Sequence, residues 1–190
     1  MSRKTMLGVA ALAAMLAPAG SVSGQMGSMQ GSAMKAAQIS DLQTMKGKFT
    51  SLGGEFSDAQ MDWRPMDGTR SVKDVLVLMA AEGNMFPTMW GGSAAMGAGA
   101  NFGAEAGRLG AMSKADLLAA IGQAFDHIIG EAEGMDNAAR MKPVKFFGQD
   151  TNAAGAVFMA QSDMHEHLGQ LIAYARSNHI VPPWSRGGGM

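Results

Sequence analysis

Four stretches of this sequence carry apolar residues at intervals of three and four positions, and none shows the strict alternation of a half-buried strand. The stretches span about residues 37–56, 71–85, 113–134 and 152–178. Intervals of three and four align the apolar side chains along one face of a helix. Four such helices, each with one face to bury, predict an all-α four-helix bundle.

The segments between these stretches differ in composition. Residues 91–110 are rich in Gly and Ala without a period, and we predict a long loop there. Residues 138–152 form a second predicted connector, which contains Pro143 and a turn at Phe146-Phe147-Gly148. Pro182 and Pro183 end the last helix, and we expect Trp184 to fold back onto the bundle.

The first residues have the order of a secretory signal peptide. Arg3 and Lys4 precede an apolar stretch over 6–18, and small residues at 22–24 fit a cleavage site. The stretch is shorter than the roughly 20 apolar residues that span a bilayer. We therefore predict a signal peptide over 1–24, a flexible leader over 25–36, the bundle over 37–185 and a flexible tail over 186–190. An uncleaved N-terminal anchor is the alternative.

Export limits how the fold is stabilised and what it binds. The chain has no cysteine, so no disulfide supports it in a periplasmic or secreted location. Removal of Arg3 and Lys4 from the 15 basic residues leaves 13, against 16 acidic ones. Because no basic stripe appears either, we expect no nucleic-acid partner, and membrane contact only through the signal peptide before cleavage.

Three segments carry a resemblance to a known family. Residues 163–176 (DMHEHLGQLIAYAR) with 180–185 (IVPPWS) look like the last helix and tail of DinB-like (DinB/YfiT-type) proteins. Residues 63–65 (WRP) and 71–76 (SVKDVL) resemble the start of their second helix, and 146–148 (FFG) the turn before the fourth. The resemblance covers about residues 37–185.

The resemblance implies a DinB-like four-helix bundle that is often dimeric. Many members hold a divalent metal with three histidines, one on the second helix and two on the fourth, and some resemble metal-dependent thiol transferases or hydrolases. In this sequence the three positions fall at Leu78, Asp163 and His167. Only His167 keeps the histidine, Asp163 could still bind a metal, and Leu78 cannot, so the three-histidine site does not carry over.

The sequence nevertheless predicts an incomplete metal site. Asp163 and His167 are four residues apart and therefore share a helix face, and both residue types bind Zn²⁺. Glu82 lies one turn beyond Leu78 and is our candidate for the third ligand. The cofactor would be Zn, Ni or Mn. In the alternative, Asp163 and His167 only hydrogen-bond each other near a bundle end, and no cofactor binds.

Three functions stay open at this point. The substitution at Leu78 favours a non-catalytic bundle that binds a small ligand or a protein partner, or forms a homodimer. The alternative is a divalent-metal-dependent transferase or hydrolase that uses Asp163 and His167, with or without Glu82, and its catalytic residues are unknown. The third is a Cu(I) protein, since thioethers are soft ligands and methionines cluster in the leader and at 85 and 89.

Overall fold

Four long helices pack around one apolar core. The computed structural model describes residues 19–187, with side chains from residue 30 onward. The described residues form α1 (Ala19–Glu55), α2 (Val72–Met85), α3 (Phe102–Gly110), α4 (Lys114–Gly134), α5 (Asn137–Arg140) and α6 (Ala153–Ser177). Helices α1, α2, α4 and α6 build the bundle, which confirms the predicted all-α class.

The predicted apolar faces are the ones that the bundle buries. On α1, Leu42, Met45 and Phe49 are fully buried, and the Phe49 ring stacks on Phe125 of α4 with centroids 5.8 Å apart. The helices begin where capping residues occur. The side chain of Ser71 accepts a hydrogen bond from the backbone N–H of Asp74 at the start of α2, and Ser113 and Asn152 cap α4 and α6 in the same way.

Helices α2 and α4 are in close backbone contact at Gly83. A Cβ atom at this position would lie 2.8 Å from the carbonyl oxygen of Ala124 and 2.9 Å from its carbonyl carbon. A methyl group does not fit there unless the two helices move apart. Since Glu82 immediately precedes Gly83, the same contact fixes the position of Glu82.

We expect Gly83→Ala to destabilise the protein by about 1–3 kcal/mol, the usual cost of overpacking a core. Gly122→Ala on α4 is the matched control, because the nearest atom to its Cβ would be the Lys46 Cε at 3.9 Å. There the gain in helix propensity should leave stability equal or higher. Urea unfolding of both variants measures the difference. Equal stability of the two variants would contradict the close packing at Gly83.

The predicted loop over residues 91–110 is partly helical. Pro87 ends α2 in a 3₁₀ helix over Phe86–Trp90, and α3 occupies the second half of the segment. The buried carboxylate of Glu105 accepts hydrogen bonds from the backbone N–H of Gly99, from Asn84 and from Arg108. Arg108 holds the pKa of Glu105 down at about 2. These contacts order the segment, and Ala106 and Leu109 of α3 pack on the core, so the prediction of a long loop was wrong for 102–110.

The second connector contains a short β-hairpin, although we predicted no strand. Strand β1 (Pro143–Phe146) pairs antiparallel with β2 (Gln149–Asn152). Phe147 and Gly148 have positive φ angles of 48° and 79°, as in the tight turns that join two strands directly. Phe146 is buried and packs edge-on against Phe86, with ring centroids 5.3 Å apart. The hairpin therefore covers one end of the bundle.

The N-terminal segment of the described residues is helical, whereas we predicted a flexible leader there. The segment 25–36, predicted as a flexible leader, lies within α1, and Lys35 donates hydrogen bonds to the carbonyls of Glu133 and Met135 at the end of α4. The tail returns to the bundle, where Lys48 lies 5.4 Å from the Trp184 ring. Residues 1–18 of the predicted signal peptide and 188–190 of the predicted tail lie outside the described residues.

No helix in the described part of the chain is long and apolar enough to cross a membrane.

Candidate metal centre

Helices α2 and α6 bring the three predicted ligands together. The Nε2 atom of His167 lies 4.0 Å from Oε1 of Glu82 and 3.8 Å from Oδ2 of Asp163. One donor atom from each residue lies within 4.8 Å of the other two. In the described residues this is the one group of at least three His, Asp or Glu side chains with such spacing. That it holds an ion stays a prediction.

The spacing of these atoms suits a small divalent ion after a slight contraction. Two donors bound tetrahedrally to one ion at about 2.1 Å lie about 3.4 Å apart. The two separations from His167 Nε2, 4.0 Å and 3.8 Å, exceed this by about 0.6 and 0.4 Å, which side-chain torsions can supply. Asp163 and His167 are too far apart to hydrogen-bond each other, so the metal-free alternative that we considered from the sequence is not the arrangement found.

Glu82 reaches the site because of the direction in which helical side chains point. The Cα–Cβ bonds of a helix tilt toward its N-terminus, so a long side chain covers the turn before its own position. The carboxylate of Glu82 is thereby carried back toward the turn of Leu78, where the resemblance places a histidine. This compensates for part of the one-turn offset between the two positions.

Burial makes Glu82 the most perturbed group of the site. Its side chain is only 3% exposed, and its Oε2 atom has no hydrogen-bond partner. Burial, reinforced by the negative charge of Asp163, raises the pKa of Glu82 to about 10, while the Arg70 charge acts in the opposite direction. A buried carboxylate oxygen without a partner needs either a proton or a cation. The donor set therefore fits a divalent ion.

The site opens to solvent on one side. Asp163 is 35% exposed, whereas His167 is 14% exposed and Glu82 is almost completely buried. An ion held by these three residues would therefore have Asp163 on its solvent side and Glu82 on its buried side.

A chain of hydrogen bonds extends from His167 away from the ligands. Nδ1 of His167 lies 3.2 Å from Oε1 of Gln170, and Nε2 of Gln170 lies 2.8 Å from the Tyr174 hydroxyl. That hydroxyl donates to the carbonyl of Arg70 at 3.0 Å. Gln170 thus links the His167 ring to the buried side chain of Tyr174. The link through Arg70 had no signal in the sequence.

The other histidines do not join the site. His165 lies on α6 but points to α1, where its Nε2 is 3.0 Å from both carboxylate oxygens of Asp41. His127 lies on α4, not on α2 or α6, and its Nε2 atom is 2.9 Å from the carbonyl oxygen of Ser93.

The methionines give little support to a copper site. Met45 and Met79 are fully buried in the core, and Met89 packs against it. The side chains of Met26 and Met29 are outside those described.

A fourth ligand can be tested at Leu78. This side chain is half buried and lines a cavity of about 380 Å³ together with Arg70 and Lys73. We expect Leu78→His to tighten Zn²⁺ or Ni²⁺ binding at least about tenfold, since it adds an imidazole one turn from Glu82. Leu78→Gln, measured in the same titration, is the control for polarity and size. Equal affinities for the two variants would count against the predicted alignment of α2 with α6.

Comparisons with known proteins support the fold. No protein-family model matches the sequence, and no curated protein matches it significantly. Among solved structures, the DinB-like protein YjoA of Bacillus subtilis matches with a TM-score of 0.58 and 13% sequence identity. The match covers 76% of this chain and 93% of YjoA. At this identity the likeness concerns the fold, and the chain therefore has the fold of a DinB-like four-helix-bundle protein.

Proposed function

We propose that this protein holds one divalent metal ion between α2 and α6, with Glu82, Asp163 and His167 as ligands. The observation that carries the proposal is the buried Glu82 carboxylate, which has one oxygen without a partner and lies 4.0 Å from the His167 imidazole. Desolvated carboxylates are costly unless a positive charge compensates them. An ion would take the place of the proton that burial favours on Glu82 and would also offset the negative charge of Asp163.

The donor types limit the identity of the ion. Two carboxylates and one imidazole suit Zn²⁺ or Mn²⁺, and Ni²⁺ also accepts imidazole and carboxylate. The three proposed ligands include no thiolate or thioether, which Cu(I) would prefer.

The exposed side of the site favours a transferase or hydrolase as the second candidate function. Metal sites with three protein ligands and an open position are typical of catalysis, whereas structural zinc sites are closed. A bound ion would supply Lewis-acid activation of a water or of a substrate oxygen. The first candidate function is non-catalytic. In that case the protein is a metal-binding bundle that recognises a small ligand or a protein partner.

Direct metal analysis tests the proposal. Protein purified without an affinity tag should contain, or take up, one Zn²⁺, Ni²⁺ or Mn²⁺ per chain by elemental analysis and calorimetric titration. Glu82→Gln and His167→Ala should abolish the binding. Glu166→Gln and His165→Gln are matched controls on α6 outside the site, and should bind as the unmodified protein does. Absence of binding for all three ions would overturn the proposal.

We also propose that the protein is exported and that its mature form begins near Gln25. The charged, apolar and small-residue order of residues 3–24 supports this. Mass spectrometry of the protein from the extracytoplasmic fraction should show an N-terminus near Gln25. An intact N-terminus beginning at Met1 would contradict it.

A further inference from the structure

We propose that Gln170 and Tyr174 are positioning residues that hold the His167 imidazole with its proton on Nδ1, which leaves the lone pair of Nε2 facing Glu82 and Asp163. The proposal rests on the proposed metal site, because its purpose is to present a ligand nitrogen. It concerns a property of the metal-free protein, however, and can be tested without any ion.

The direction of the hydrogen-bond chain follows from its far end. The backbone carbonyl of Arg70 can only accept, so the Tyr174 hydroxyl, 3.0 Å away, donates its single proton there. Toward Gln170 the same hydroxyl can therefore only accept. The atom of Gln170 that faces it at 2.8 Å must be the amide nitrogen, which donates.

The orientation of Gln170 then determines the tautomer of His167. With its amide nitrogen on Tyr174, Gln170 presents its carbonyl oxygen to Nδ1 of His167, 3.2 Å away. That oxygen can only accept, so Nδ1 carries a proton. In the neutral imidazole Nε2 then has a free lone pair, and this is the nitrogen found 4.0 Å and 3.8 Å from the two carboxylates.

The hydrogen-bond chain from His167 ends at residues outside the metal site. Tyr174 is 6% exposed, and its ring packs edge-on against Trp63 with centroids 5.2 Å apart. Arg70 immediately precedes Ser71, the capping residue of α2. The imidazole is thus oriented by the residue that precedes the N-terminal cap of α2, the helix that supplies Glu82. Hydrogen bonds to the second nitrogen of a ligating histidine fix its tautomer and ring orientation, and their loss typically weakens metal binding about 10- to 100-fold.

The first experiment is nitrogen NMR of the histidine rings in metal-free, ¹⁵N-labelled protein at about pH 8.5, where free histidine is neutral. His167→Gln assigns the His167 signals. We expect a protonated Nδ1 and an unprotonated Nε2 for His167. Gln170→Leu should shift this ring toward the other tautomer, and Tyr174→Phe should do so partly, since it releases Gln170 but keeps the aromatic packing. His165 serves as an internal control whose signals should not move.

Gln170→Glu is the rescue variant, because a carboxylate also accepts from Nδ1 and should preserve the tautomer. A protonated Nε2 in the unmodified protein would overturn the proposal, as would an unchanged His167 pattern in Gln170→Leu. Thermal unfolding confirms that each variant is folded before its spectrum is interpreted.

The second experiment measures Zn²⁺ and Mn²⁺ affinity for the same set. We expect binding to weaken about 10- to 100-fold in Gln170→Leu and to be largely retained in Gln170→Glu. If no ion binds but the tautomer responds to Gln170, the proposed metal function fails and the positioning role stands. If ions bind and neither the affinity nor the tautomer responds to Gln170→Leu, the positioning role alone fails.

Discussion

Saturating divalent metal should raise the free energy of unfolding of this protein, and Glu82→Gln should abolish the increase. An ion that binds only the folded state stabilises it by about 2.7 kcal/mol at a hundredfold excess over its dissociation constant. For a chain of this size, that corresponds to a rise in melting temperature of roughly 5–10 °C. The reason is local: two carboxylates and one imidazole converge, and one carboxylate is desolvated.

Scanning calorimetry with and without Zn²⁺ or Mn²⁺ measures this effect. His167→Ala should lose it together with Glu82→Gln, whereas Glu166→Gln, one position away on an exposed face of α6, should retain it. If added metal does not change the melting temperature of the unmodified protein, the three-ligand assignment is wrong. The same would follow if Glu82→Gln responded as strongly as the unmodified protein.

Without metal, the stability of the protein should fall as the pH rises from about 5 toward 10. The pKa of Glu82 is about 10 in the folded state, against an ordinary value of 4.5. Between these values the folded state holds one proton more than the unfolded state, so unfolding becomes easier with increasing pH by up to about 1.4 kcal/mol per unit. The contribution is fully present below pH 4.5 and is lost as the pH passes through the folded-state pKa. From pH 5 to 8 the loss is a few kcal/mol.

Urea unfolding in the presence of a chelator, repeated across this pH range, tests the prediction. Glu82→Gln should flatten the profile and be more stable than the unmodified protein at pH 8, because an amide needs no proton to be neutral. Glu105 does not interfere with this measurement, because its pKa is lowered in the folded state. Its contribution to the stability of the protein is lost only at acidic pH, as the pH falls from about 4.5 through 2. Parallel profiles for the two proteins would contradict the burial of an uncompensated carboxylate.

The main helices were predictable because each buries one continuous apolar face. Leu42, Met45 and Phe49 show the helical interval directly, and Ser71 and Ser113 mark helix starts by a hydrogen bond within one turn. Helix α3 and the hairpin are too short to show a long apolar face. Their local signals are the Asn101 side chain, which accepts from the backbone N–H of Ala104, and the Phe147-Gly148 turn. Distant contacts, such as that between Glu105 and Asn84, add to their order and have no local signal.

The candidate site was predictable only as far as helix geometry extends. The spacing of Asp163 and His167 on one helix, and of Glu82 and Leu78 on another, indicates shared faces from sequence alone. The hydrogen-bond chain through Tyr174 ends on a backbone carbonyl in a connector, and every residue type has such a carbonyl. Sequence reasoning therefore found the three candidate ligands but could not find what orients them.

The backbone contact between α2 and α4 also restricts how this site can diverge in evolution. The atom nearest to a Cβ at position 83 is the carbonyl oxygen of Ala124, which is present whichever residue occupies position 124. No exchange at 124 can therefore compensate for a larger residue at 83. We expect descendants of this sequence to keep glycine at 83, and lineages that lose this glycine to carry a displaced α2 in which Glu82 no longer meets His167.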